Sequence, residues 1–165
     1  MPSPRKPSRR PGASRGDPVE RALRRAIRLL AASDKTRAEL TTRLTRAGLD
    51  AASIAKALDT LEAQRLLSDA RVARTIAQDD RVSRAFNRDR LEQRGLDPQA
   101  ADVGSRDGTR AIAAAREIAA KLPASLAPAT KWRRMLSALA RRGFEEGVAF
   151  EAAQHLLGPA PEPPD

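Results

Sequence analysis

Apolar residues recur at helical spacing from about residue 17 to residue 157, and nearly every recurrence opens on a helix-capping signal. Val19, Leu23, Ile27 and Leu30 fall three or four apart, while Arg21, Arg24, Arg25 and Arg28 occupy other faces. Asp17 before Pro18, with Glu20 three positions on, supplies an N-cap, a proline at the first helical position and a capping-box-like acid. Thr36 and Glu39 open a second helix through Leu40 and Leu44 that stops near Gly48. Asp50 caps a third carrying Ile54, Leu58 and Leu61, and Ser68 a fourth carrying Val72 and Ile76. A fifth includes Leu91 and ends at Gly95. Asp97-Pro98 starts a short sixth that gives way to a loop from Gly104 to Gly108. Thr109 to Leu122 is a seventh, with Ile112, Ala115, Ile118 and Leu122 on one stripe. After the loop from Pro123 to Pro128 an eighth carries Trp132, Met135, Leu136 and Leu139, and Glu145 to Leu157 forms the last. The fold class predicted is all-α.

The helices are not independent of one another. The strings LTTRLTRAGLD (40–50), NRDRLEQRGLD (87–97) and MLSALARRGFE (135–145) share one plan, and their glycines stand 47 and 48 residues apart. In each, two residues four apart face one core, Gly supplies a left-handed C-terminal cap, the next apolar residue packs back, and an acid opens the following helix. The unit is therefore three helices, helix-turn-helix-like, repeated in tandem over 17–67, 68–108 and 109–157. One unit is too small to hold much core, and stacked units predict an elongated, curved body. Residues 1–16 combine Pro, Gly and Ser with five basic residues and no acid, and are expected to be a disordered basic arm. Residues 158–165 (GPAPEPPD) are expected to be a disordered tail.

Composition narrows the function classes. The apolar residues are mostly Ala and Leu, which favour helices over strands. There is no Cys and a single His, His155. Disulfides, thiolate zinc sites and cysteine nucleophiles are excluded, and a histidine-based metal cage cannot be assembled. No phosphate-binding loop, dinucleotide fingerprint or nucleophile elbow appears. The expectation is a non-enzymatic binding protein without cofactor or metal. Lys and Arg number 31 against 21 acids, for a formal charge of +10, which favours a polyanion or an acidic protein surface as partner. No apolar run approaches the roughly 18–20 residues of a membrane span, and the first residues lack a signal-peptide apolar stretch, so a cytoplasmic location is expected. Asp79-Asp80 reads as a solvated acidic patch, His155 as a packed or surface residue, and Trp132 as core.

These motifs resemble those of the RecX family of recombination regulators, over about residues 20 to 157. The stretch LEAQRLLSDARVA (61–73) is similar to that family's junction between its first and second repeats. Arg37 to Leu40, with Leu44 and Gly48, is similar to the second helix of its first repeat, and the run from Leu139 to Phe144 resembles its third-repeat Arg-Arg-Gly-Phe turn. The stretch from Asp79 to Asn87 departs from the family pattern, being shorter and without Gly, which makes the middle repeat the most degenerate. The resemblance implies a non-enzymatic regulator that lies in the groove of the RecA–single-stranded DNA filament. It implies inhibition of RecA's ATPase, strand exchange and co-protease activity, and a role in DNA repair and the SOS response.

The candidate contacts are the basic residues of the second helices: Arg37, Arg43 and Arg46; Arg88, Arg90 and Arg94; Lys131, Arg133, Arg134, Arg141 and Arg142. An equivalent basic helix in each repeat would give a stripe of charge suited to DNA phosphates or an acidic protein groove. With one Trp, three Phe and no Tyr, base-stacking platforms are not available, so any DNA contact of the chain's own is expected to be weak, electrostatic and sequence-independent. The partners expected are the RecA filament and single-stranded DNA, no membrane, and a monomer. The competing reading is a helix-turn-helix transcription regulator, against which stands the Ala-rich third helix AASIAKAL (51–58), poor in residues that read base edges.

Overall fold

The computed structural model describes residues 16–102 and 105–161. The expected arm and tail therefore lie largely outside the described residues, in 1–15 and 162–165. Among the described residues there is no strand. Eight α-helices and one 3₁₀ turn follow one another as α1 (Pro18–Ala32), α2 (Arg37–Arg46), α3 (Ala51–Ala63), α4 (Asp69–Ala77), α5 (Arg84–Gln93), the 3₁₀ turn (Pro98–Asp102), α6 (Asp107–Lys121), α7 (Pro128–Ala140) and α8 (Glu146–Leu157). The chain divides into two compact units, up to Ser68 and from Asp69 onwards.

In the first unit α1, α2 and α3 enclose Ala26, Leu40, Leu44, Ile54, Leu58, Leu61 and Leu67, all buried. The caps form as the sequence implies. The Asp17 carboxylate accepts from the Val19 amide, Thr36 and Glu39 form a reciprocal box at 3.2 and 2.8 Å, and Asp50 accepts from the Ser53 amide. Glu20 does not complete a box with Asp17; it pairs with Arg24 one turn on.

The second unit holds two cores. Val72, Ile76, Leu91 and Ala101 join α4, α5 and the 3₁₀ turn. A larger cluster built on Ala111, Ala115, Trp132, Met135, Leu139, Phe144 and Ala153 joins α6, α7 and α8. Trp132 is buried there, its ring 5.2 Å from that of Phe150, which is exposed rather than core. The expected sixth helix is one 3₁₀ turn: five residues between Pro98 and Asp102 offer only Ala100 and Ala101 to the core, too little apolar surface to order a longer helix. α6 opens at Asp107, so Gly108 lies inside the helix and not in the preceding loop.

The three repeated turns close alike. Gly48, Gly95 and Gly143 have φ of +78°, +70° and +80°, the left-handed region open to glycine. In each, the amide after the glycine returns to the carbonyl five residues back: Leu49 to Leu44, Leu96 to Leu91, and Phe144 to Leu139, at 3.2, 2.9 and 3.3 Å.

Candidate functional site

The second helices present their basic residues in two different states. Arg37 is half-buried and clamps α2 to α3 through Asp59 at 2.7 Å and Glu62 at 2.8 Å. Those hydrogen bonds, Asp59's first, raise its pKa further above the ordinary arginine value. Arg88 pairs with Asp102, Arg90 with Asp79 at 3.1 Å, and Lys131 donates to the Ala124 carbonyl at 2.8 Å. Arg94 and Arg142 are half-buried, and the Arg142 Nη1 is buried without a hydrogen-bond partner among the described residues. Arg43, Arg46, Arg133, Arg134 and Arg141 are exposed and in no ion pair among the described residues.

Three of these five share one groove. Arg133, Arg134 and Arg141 line a depression of about 560 Å³ between α6 and α7, together with Lys121. Its floor is Ile118, Leu122 and Ala138, and no acid among the described residues lines it. The spacing explains the arrangement. α7 buries Trp132, Met135 and Leu139, which leaves Arg133, Arg134 and Ser137 on the flanks, with Arg141 following one turn later. An apolar floor rimmed by cations suits an acidic protein segment with apolar anchors better than a bare phosphate chain. Arg43 and Arg46 sit at the last turn of α2 in the first unit, where they complement the negative end of that helix.

Sequence reasoning did not single out Arg110. This side chain is fully buried in α6, four residues before Ala114 on the same stripe. Its Nε donates to the Ser105 carbonyl at 2.9 Å, its Nη1 to the Asp79 carbonyl at 3.2 Å and its Nη2 to the Ala77 carbonyl at 3.0 Å. The Asp80 carboxylate lies 3.4 Å from Nε. One guanidinium thus gathers the whole α4–α5 connection onto α6. Asp79 faces inward too, with a side chain only 14% exposed, held by Arg81 at 2.9 Å and Arg90 at 3.1 Å. The Arg81 hydrogen bond, before the smaller contribution of Arg90, keeps its carboxyl below the usual Asp range. The expected solvated acidic patch is therefore wrong for Asp79: it belongs to the framework, because two guanidiniums and the buried Asn87 amide, which donates to the Asp79 carbonyl, draw this residue in. His155 is exposed. No group of acids and histidine suited to a metal ion occurs among the described residues, and no described helix is long and apolar enough to cross a membrane.

Two helix-capped units of this kind, with their repeated glycine turns and basic, groove-lined helices, define a class: the all-helical proteins built from tandem three-helix modules. Residues 22–61 match the family model described as RecX, first three-helix domain. The chain is 35% identical over 144 residues to the regulatory protein RecX of Chlorobaculum tepidum, an alignment spanning 83% of this chain and 89% of that protein. The chain belongs to the RecX family of regulatory proteins. Its fold is also that of the crystal structure of RecX from Lactobacillus salivarius, with a TM-score of 0.59 at 16% identity over 85% of this chain and 97% of the other. A second crystal structure, of regulatory protein RecX, gives a TM-score of 0.58 at 17% identity over 84% and 74% of the two chains.

Proposed function

We propose that this protein binds in the groove of the RecA–single-stranded DNA filament and inhibits RecA, lowering its ATP hydrolysis and strand exchange and limiting filament growth. The observation that carries the reading is the relationship to a RecX regulatory protein across nearly the full length of both chains. In this reading the chain acts as three three-helix repeats, 17–67, 68–108 and 109–157, a monomer that needs neither cofactor nor catalytic group. The groove between α6 and α7 takes an acidic face of RecA, with Arg133, Arg134 and Arg141 at its rim. A bound protein shifts the filament only by its differential affinity for the two arrangements of neighbouring subunits, so inhibition requires contact with more than one RecA at a time. Regulation of this kind serves DNA repair and the SOS response inside the cell. The helix-turn-helix transcription reading gains no comparable support. The exposed positions of α3 are Ala51, Ala52, Ala55 and Ala63 with Lys56, Asp59 and Glu62, and two of those acids hold Arg37.

The test is RecA ATP hydrolysis on single-stranded DNA with this protein titrated in. Inhibition at a few copies per many RecA subunits is the expected result. No inhibition at stoichiometric excess of folded protein, in moderate salt, refutes the proposal.

A further inference from the structure

The first unit carries a second basic surface, of different chemistry from the groove between α6 and α7. Arg21, Arg24, Arg25 and Arg28 line a depression of about 300 Å³ between α1 and the α2–α3 turn, where Ala47 and Leu49 complete the wall. We propose that this depression is a binding site for a nucleic-acid phosphodiester backbone, and that it works without RecA. The proposal goes beyond the RecA reading and does not rest on it.

The helix geometry supplies the site. At 100° per residue the four arginines fall within an arc of roughly 100°, and the row from Arg21 to Arg28 covers about 10.5 Å of helix axis. It therefore presents cations at intervals of one helical turn or less, matched to successive phosphates of one strand. All four side chains are exposed, opposite the face that buries Ala22 and Ala26. Among the described residues only Arg24 of the four has an acidic partner, Glu20 at 3.2 Å, and no acid lines the depression. The negative end of α2, which lies beside it, is muted. The Arg43, Leu44 and Thr45 carbonyls are taken by the amides of Ala47, Leu49 and Gly48. Among the described residues the apolar lining is Ala47 and Leu49, with no aromatic ring to stack a base. Arginine forks, no stacking platform and no acid are what a backbone ligand requires, and such binding reads charge without sequence.

The experiment uses the full chain and a fluorescein-labelled 30-nucleotide DNA, as a single strand and as a duplex, in anisotropy titrations over a range of salt. The triple variant Arg21→Ala, Arg25→Ala, Arg28→Ala is compared with Arg133→Ala, Arg134→Ala, Arg141→Ala, which removes the same charge elsewhere. The α1 variant is expected to lose at least about tenfold in affinity at low salt, and the slope of log affinity against log salt to fall by about 2 on the single strand. The α7 variant is expected to stay within about threefold of the parent. Replacing the same three α1 residues by Lys, which keeps charge and fold, is expected to retain most of the binding. A loss on either DNA form supports the site, and the form that loses more is the one the depression takes. Equal losses in the two Ala variants, or none in the α1 variant, overturn the proposal. RecA is absent throughout, so a failed ATPase test and a failed binding test remain distinct results.

Discussion

Arg110 is the residue whose removal the structure most clearly prices. In Arg110→Ala the carbonyls of Ala77, Asp79 and Ser105 each lose a charged donor now 2.9 to 3.2 Å away. At about 1.5–3 kcal/mol for a hydrogen bond to a charged group, a plain sum would be about 5–9 kcal/mol. Two observations lower it. The Asn87 amide still donates to the Asp79 carbonyl. A cavity of about 510 Å³ borders Arg110 between α4 and the 3₁₀ turn, so water can reach the abandoned acceptors. Asp80, half exposed, is resolvated at little cost. The expected loss is about 2–4 kcal/mol. For a unit of this size each kcal/mol moves the melting temperature by about 4–8 °C, so the transition of the second unit falls by about 8–32 °C in a thermal melt followed by circular dichroism. Arg110→Lys separates charge from geometry. Its single ammonium cannot fork to carbonyls on both sides of the α4–α5 connection, and less than half of the loss should be recovered. A melt of Arg110→Ala within about 3 °C of the parent, or full recovery by Lys, would refute the reasoning.

Two further predictions concern the glycine turns and Asp79. Gly143 and Gly48 have nearly the same φ, but a Cβ on Gly143 would meet the Ser83 hydroxyl at 2.7 Å and the Phe86 Cβ at 3.0 Å, whereas a Cβ on Gly48 meets nothing within 4 Å. Urea melts should therefore show Gly48→Ala losing about 1 kcal/mol, the backbone strain alone, and Gly143→Ala about 2–4 kcal/mol, strain plus clash. Asp79 has a depressed folded-state pKa, so its contribution is fully present above the unfolded value near 3.9 and is lost as pH falls through the folded value. Stability measured from pH 6 down to pH 2.5 should fall more steeply in the parent than in Asp79→Asn, and parallel curves would exclude Asp79 as an acid-sensitive tie.

Capping and periodicity are local, and what they encode was legible. The Thr36–Glu39 box, the Asp50 cap and the three glycine turns are where their residue types demand them, because each is decided within five residues of chain. The pairings of the basic side chains were not. Nothing near Arg37 in sequence announces Asp59 and Glu62, and nothing near Arg88 announces Asp102. Arg110 was hidden for a related reason: on a helix rich in Ala, an arginine four residues from Ala114 looks solvated until the carbonyls of Ala77 and Asp79, 33 and 31 residues back, are brought to it. The arginine row of α1 was visible as a departure from the apolar face, but its depression needs the α2–α3 turn to form its wall.

That reach of Arg110 also bears on how the protein is made. The first unit closes its core with residues no later than Leu67, so it can fold while the rest is still being synthesised. Residues 69–102 are in a different position. Their 3₁₀ turn closes only a small core, and the α4–α5 connection hangs on a side chain from α6. The Ser83 amide donates to the Arg142 carbonyl, later still. On the ribosome this middle stretch must wait, partly ordered, for about 60 residues of chain to emerge after Ser83 before all its ties exist. A pause in translation between α5 and α6 would leave exposed the part of the chain least able to hold itself together, and protease sensitivity of stalled chains should concentrate there.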